Sequence, residues 1–485
     1  MNDVLGEISN VLYTYLLIGL LVGVGLYFTI RTRVLQVRLF RRMLGAIFAS
    51  RSGQEGGISS FQAFAIGLGA RVGTGNIAGV ALALTLGGPG AIFWMWMVAV
   101  VGMATAFVES TLAQMYKIRW RDGTFRGGPA FYIQRGLGSR AWGTVFAGLI
   151  VFAFGFSFQM VHANTFATTL EAGHGVPTWV GGLVLLAATA PVVLGGVRRV
   201  ARIAELLAPA MAILYIVVAI VVAILHIDQL PAVLGQIVRG AFGLDEALAG
   251  TGGGLIAALL NGARRGLFSN EAGMGSAPNA ASTATVAHPA QQGLVQSLGV
   301  FIDTIIVCSV TAFLILLAGP AVYSPGEEPD VTGAGLTQAA VVDHLGGWSA
   351  WPMTILVAVF VYTSVLGAFT YAEVNMDFLT RRRWANTALR LVVVTSVFIG
   401  SISELLTVWA LADIAMALMT LVNLVAIVLL GRWAVGAMRD FEKYARGTGM
   451  REMPGFEGTG NPDLPGDIPG DLWDDRDNVP VSPRG

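Results

Sequence analysis

Residues 69–76 read Gly-Ala-Arg-Val-Gly-Thr-Gly-Asn in the middle of an otherwise apolar stretch, 61–83. Glycine lets a backbone leave helical geometry at little steric cost. An interrupted helix exposes carbonyls at the end of its first half and N–H groups at the start of its second. Carbonyl oxygens suit a hard cation such as Na⁺. The N–H groups, at the positive end of a helix dipole, suit a carboxylate. One interruption can therefore hold both charged parts of a sodium–amino-acid pair. Close helix packing also uses glycine, but it does not account for Arg71 among these glycines.

A second apolar stretch, 252–280, is interrupted in the same way. Residues 261–276 read Asn-Gly-Ala-Arg-Arg-Gly-Leu-Phe-Ser-Asn-Glu-Ala-Gly-Met-Gly-Ser. Charges inside a membrane are rare and are by default functional or paired. Arg264, Arg265 and Glu271 fit two readings: they pair with one another or form an inner gate, or the arginines reach out to the cytoplasmic interface. Asp303, Glu373, Asp377 and Asp413 lie in or near apolar segments, and any of them could carry a proton. His162 and His288 read as local polar groups, and Cys308, the single cysteine, as a small buried hydrophobe.

Both stretches belong to a chain of 485 residues that is 55% hydrophobic and 12% charged. Soluble domains carry about twice that charge, so the composition is that of an integral membrane protein. Its formal net charge is zero, which gives no field for nucleic acid. There is no nucleophile–base pair, no Cys/His metal spacing and no phosphate-binding loop. Neither an enzyme nor an ATP-driven pump is expected. The N-terminus has no basic residue before its first apolar run, so that run is expected to be a retained helix and not a signal peptide.

Eleven spans are expected, at 11–30, 59–83, 90–114, 142–169, 177–197, 203–225, 252–280, 293–318, 350–378, 388–406 and 407–433. If they alternate across the bilayer, nearly all Lys and Arg fall on one side, with only Arg239 in the opposite loops. The positive-inside rule then puts the N-terminus outside and the C-terminus in the cytoplasm. Residues 1–58 form a first helix and linker. Residues 59–225 and 252–433 form two five-helix sets, each opening with an interrupted helix. Because five is odd, the second set enters inverted. An inverted repeat with interrupted helices is the architecture of sodium-coupled secondary transporters. The acidic, proline-rich segment 441–485 is expected to be disordered.

Residues 87–102, Gly-Gly-Pro-Gly-Ala-Ile-Phe-Trp-Met-Trp-Met-Val-Ala-Val-Val-Gly, resemble the signature of the alanine/glycine:cation symporter family, the sodium:alanine symporters. Gly-Thr-Gly-Asn-Ile-Ala-Gly-Val at 73–80 and Arg-Gly-Leu-Phe-Ser-Asn-Glu-Ala-Gly-Met-Gly-Ser-Ala-Pro at 265–278 are similar to its other strong blocks. The resemblance covers residues 11–440. It implies an all-α, leucine-transporter-like membrane fold with one extra N-terminal helix. It also implies symport of alanine, glycine or a similar small amino acid with Na⁺, or alternatively with H⁺, in the plasma membrane and without an obligate protein partner. Within 87–102, Trp94 and Trp96 read on physical grounds as interface anchors.

The wider superfamily resemblance supplies finer expectations. Thr74 and Gly75, within Gly73–Asn76, would offer N–H groups to the substrate carboxylate. Gln159, Phe268 and Gly273 are further expected substrate-side positions. Gly69 and Val72 would give carbonyls, and Thr363 and Ser364 hydroxyls, to one sodium ion. A second superfamily sodium site would need a small residue where Arg71 stands, so one sodium is expected. Packing polarity remains an alternative for Gln159, Thr363 and Ser364.

Overall fold

The computed structural model describes residues 2–49, 58–120, 123–244, 254–327, 329–445, 455–470 and 472–473. Besides two short helices, Leu35–Arg38 and Phe40–Ala49, its helices in chain order are α1 (Val4–Arg31), α2 (Ser60–Arg71), α3 (Val80–Gly87), α4 (Gly90–Met115), α5 (Pro129–Gly136), α6 (Arg140–His174), α7 (Thr178–Val193) and α8 (Arg199–Leu225). They continue as α9 (Leu230–Ala241), α10 (Gly254–Asn270), α11 (Ala277–Ser282), α12 (Pro289–Leu316), α13 (Ala334–Leu345), α14 (Gly347–Leu379), α15 (Arg383–Ser401) and α16 (Leu405–Tyr444). A short antiparallel pair, β1 (Ile118–Arg119) and β2 (Phe125–Arg126), lies between α4 and α5. Eight of the helices, α1, α4, α6, α8, α12, α14, α15 and α16, are long and apolar enough to cross a membrane. The protein is therefore an all-helical, multi-pass membrane protein.

The helices form two groups. In one, α4 packs along α10 and α12; in the other, α6, α7, α14 and α15 pack on one another. The first interrupted helix lies between the groups, with α2 against α8 and α14. Small residues permit the close approaches: a Cβ at Gly262 of α10 would collide with the carbonyl of Ala91 on α4.

Both expected interruptions are present. α2 begins with a capping box, in which Ser59 and Gln62 exchange side-chain-to-backbone hydrogen bonds. It stops at Arg71, where Val72 turns extended (φ −74°, ψ 93°). The chain resumes through a π turn, Gly75–Gly79, before α3. α10 stops at Asn270, and helix resumes only at Ala277. Between them Glu271, Gly273 and Gly275 take positive φ values of 57°, 84° and 83°. Glycine is at ease there, whereas Glu271 is strained.

Three expectations need correction. The stretches expected as loops before the second half and within it are not plain loops, because 226–251 contains α9 and 320–349 contains the largely buried α13. The last two spans meet at Ser401–Leu405, and α16 runs on to Tyr444. The indoles of Trp94 and Trp96, near the start of α4, bond to Ala241 O (3.1 Å) and Ser309 Oγ (2.7 Å), joining α4 to its neighbours. Residues 455–470, expected to be disordered, are folded against the helix ends. Phe456, Leu464 and Ile468 are buried, as is Trp473, because these few apolar side chains find a receptive surface that composition alone does not reveal. Residues 446–454, 471 and 474–485 of the expected tail lie outside the described residues.

Candidate substrate and ion site

The first interruption is clamped from two sides. Ser364 Oγ on α14 donates to Gly69 O at 3.1 Å. A Cβ on Gly73 would overlap Ser364 Oγ, and one on Gly75 would sit 2.9 Å from the Cα of Ser269 and 3.1 Å from Phe268 Cδ1 on α10. Glycine is required at both positions by approach. Asn76 folds its side chain back, and Gly73 N donates to Asn76 Oδ1 at 2.8 Å. Thr74 Oγ1 lies 2.9 Å from Nδ1 of His162.

Asn76 also reaches α12. Its Nδ2 donates to Asp303 Oδ1 (2.8 Å) and Asp303 O (3.1 Å), while Ser269 Oγ and Thr304 Oγ1 donate to Asp303 Oδ2 at 2.8 and 2.7 Å. Cys308 Sγ lies 3.2 Å from both Asn76 Nδ2 and Ser269 Oγ. All five side chains are buried, and Asp303 sits in a π segment, Phe301–Cys308, of the kind that often marks functional sites. The other carboxylates considered as proton carriers are ion-paired: Glu373 with Arg390, Asp377 with Arg126 and Asp413 with Arg265. Among the described residues, Asp303 has no such salt bridge.

The four expected sodium residues are brought together only in part. Gly69 and Ser364 are hydrogen-bonded, and Thr363 packs on Gly69. Thr363 Oγ1 donates to Phe360 O (3.0 Å) and Val359 O (3.1 Å), and it lies 3.3 Å from Met211 Sδ. Each hydroxyl keeps lone pairs while its proton rests on a carbonyl. Buried neutral oxygens of this kind suit a hard monovalent cation.

Phe268 forms a wall. It stacks on Phe158 (centroids 4.7 Å, planes 6° apart) and meets Trp409 at 4.5 Å. Trp409 in turn lies under the guanidinium of Arg265, 4.4 Å away, and Arg265 pairs with Asp413. Above this layer opens a cleft of about 460 Å³, lined by Asn10, Leu82, Arg264, Arg265, Trp409 and Asp413. Contrary to expectation, the three charged residues do not pair with one another: Arg265 pairs across helices with Asp413, and Glu271 accepts a bond from Ser276. Arg264 instead bonds Asn10 and covers the Tyr13 ring at 4.9 Å.

Two expected substrate-side residues are placed differently. Gln159 Nε2 bonds to backbone, to Phe154 O (2.8 Å) and Val365 O (3.3 Å), while its buried Oε1 has no partner among the described residues. Gly273 packs against Leu21, Thr105 and Leu424. It belongs to a cradle in which Gly273 N and Gly275 N donate to the two oxygens of Glu109, each at 3.2 Å. Asn423 Nδ2 adds a bond to Glu109 (2.8 Å) and one to Gly273 O (2.9 Å), and Tyr132 holds Asn423. Arg71 is fully buried, and its Nη1 donates to Gln296 O (3.3 Å) and Gln296 Oε1 (3.1 Å). Sequence reasoning did not single out Glu109, Trp409 or Phe158. For Glu109 the signal was available, since it is a lone carboxylate in an apolar span.

A family profile described as "Sodium:alanine symporter family" matches residues 1–453. The chain is 45% identical to the "Probable sodium/glutamine symporter GlnT" of Bacillus subtilis, over 91% of each chain. It is 46% identical to the "Amino-acid carrier protein AlsT" of the same organism, over 91% of this chain and 92% of that one. The "Sodium/alanine symporter AgcS" of Methanococcus maripaludis is 37% identical, over 88% and 94%. Among solved structures, MhsT in complex with L-phenylalanine matches with a TM-score of 0.56 at 17% identity, covering 80% of this chain and 93% of that one, a likeness of fold.

Proposed function

The chain belongs to the sodium:alanine symporter family, and from that premise we propose that it couples sodium influx to uptake of alanine, glycine or a similar small amino acid by alternating access. The observation that carries this reading is the clamp on the first interruption. Ser364 and Thr363 meet Gly69 on one side of it, and Phe268 and Ser269 close on Gly75 from the other.

Sodium takes the Gly69 and Val72 carbonyls with the Thr363 and Ser364 hydroxyls. The substrate carboxylate takes the N–H groups at Thr74 and Gly75, in the turn shaped by Gly73 and Asn76. Thr74 is held by His162, and Phe268, under Trp409, closes over the bound amino acid. The space is small: a Cβ on Gly75 alone would already crowd Ser269, so large side chains are rejected by clash. Sodium and substrate meet at one interruption, and their coupling is the reciprocal free energy between two adjacent binding events.

Eleven crossings are reached by counting each interrupted helix once and adding the shorter apolar α7 to the eight long helices. The two five-helix sets then form the inverted repeat, with the N-terminus outside and the C-terminus in the cytoplasm. The Arg265–Asp413 pair becomes the outer gate. A second reading is proton coupling through Asp303, favoured by its lack of a salt-bridge partner among the described residues. A relative's printed name, "Putative sodium/proton-dependent alanine carrier protein YrbD", suits it. Uptake of labelled alanine into proteoliposomes under separate Na⁺ and pH gradients tests the two. Accumulation that needs Na⁺ supports the first, and accumulation driven by pH alone supports the second.

A further inference from the structure

The end of the bundle opposite the cleft is closed by two layers. The first is within the helices. Ile58, just before α2, pairs with Ala284, through Ile58 N to Thr283 O (3.4 Å) and Thr285 N to Ile58 O (3.1 Å). Gln292 holds Ser60 at the same place. Segment 281–284 is braced from α4 and from Lys117 just beyond it: Gln114 Nε2 bonds Ala281 O and Ala284 O (3.1 Å), and Lys117 Nζ bonds Ala284 O (2.8 Å). Ala284 is fully buried.

The second layer is the C-terminal segment. Phe456 N donates to Ala287 O at 3.1 Å, and the Phe456 ring packs edge-on to His288 at 4.8 Å. Trp473 Nε1 donates to Gln114 O at 3.2 Å, its ring meets Phe456 at 5.5 Å, and Lys117 Nζ lies 5.4 Å from its centre. The segment therefore rests on both residues, Gln114 and Lys117, that brace Ala284. It is pinned at its edges by Lys443 to Asp463 and by Arg135 to Pro469 O. Gly458 and Trp473 close it on itself at 2.9 Å.

We propose that residues 456–470 and 472–473 are an intramolecular latch, docked on Gln114, Lys117, Ala287 and His288, that holds this end shut. The inference rests on the function proposed above, in which this end is the cytoplasmic exit. Because α2 ends at the interruption, it can swing as a short lever only if Ile58 parts from Ala284. The latch opposes that parting without touching the substrate residues. Undocking it shifts the population toward the inward-open form, which leaves fewer molecules ready to bind sodium from outside.

The test places Ala284→Cys in the full chain and follows its labelling by an impermeant maleimide in inside-out vesicles. The chain without that cysteine, whose own Cys308 is buried, is the control. Labelling is expected to rise several-fold with Phe456→Ala/Trp473→Ala. It should rise with Lys443→Glu, and fall back when Lys443→Glu is combined with Asp463→Lys, which restores the pair with its charges exchanged. External Na⁺ for half-maximal alanine uptake should rise in step. Labelling unchanged by Phe456→Ala/Trp473→Ala and by Lys443→Glu would overturn the latch. Absence of Na⁺-driven uptake in every form would instead count against the function, while the labelling still decides the latch.

Discussion

The hydroxyl of Ser364 lies 3.1 Å from the carbonyl of Gly69, joining positions 295 residues apart. It ties the last turn before the first interruption to the middle of α14. If this oxygen pair is half of the sodium shell, Ser364→Ala removes one ligand and frees Gly69. A lost bond of about 0.5–1.5 kcal/mol raises the Na⁺ needed for half-maximal uptake by about two- to tenfold. Thr363→Ala is expected to act in the same direction. Uptake measured against Na⁺ concentration reads this out, and an unchanged half-maximal value would remove these hydroxyls from the shell.

Gly75→Val is expected to abolish alanine uptake while leaving membrane insertion intact. The branched side chain would enter the space held by Ser269 and Phe268, at 2.9 and 3.1 Å from the new Cβ. Uptake by purified, monodisperse mutant at the parental rate would rule out the carboxylate assignment.

Arg265 and Asp413 are only 5% and 7% exposed in their side chains. Asp413→Ala strands a buried guanidinium, and breaking such a pair costs about 3–5 kcal/mol. A lowered thermal midpoint in detergent is expected, with a smaller loss when Arg265→Met accompanies it. Equal midpoints for Asp413→Ala and the parent would mean the pair is solvated in practice.

His344, outside the membrane spans, gives a pH dependence. Its Nε2 faces Leu314 O (2.9 Å), a pure acceptor, so that nitrogen carries the proton, and Nδ1 accepts from His226 Nε2 at 3.1 Å. Burial, with His226 adding to it, holds the His344 pKa below its ordinary value. The folded protein therefore binds fewer protons here than a free imidazole. The contact has its full strength above about pH 6.5 and weakens as pH falls below it. Hydrogen exchange of α13, corrected for the intrinsic effect of pH, should rise on acidification, and His344→Gln should flatten that rise. A flat parental profile would contradict it.

The interruption itself was legible because its cause is local. Clustered glycines around Arg71 and Asn76 break a helix wherever they stand, whereas Thr363 and Ser364 were singled out only through the superfamily resemblance. What escaped depends on contacts between distant parts of the chain. Trp409 and Phe158 look like any core aromatic until Phe268 comes between them. His162 was read as a local polar group, yet its partner, Thr74, is 88 residues away. The tail's prolines and aspartates outweighed Phe456 and Trp473 in composition, although those two rings dock it.

The central claim is tested most directly by alanine uptake into proteoliposomes with and without an inward Na⁺ gradient at fixed pH, in the parent and in Ser364→Ala. The account predicts concentrative uptake that requires Na⁺ and shifts to higher Na⁺ in the variant. Concentrative uptake that ignores Na⁺ and follows a pH gradient would contradict it and move the coupling to Asp303.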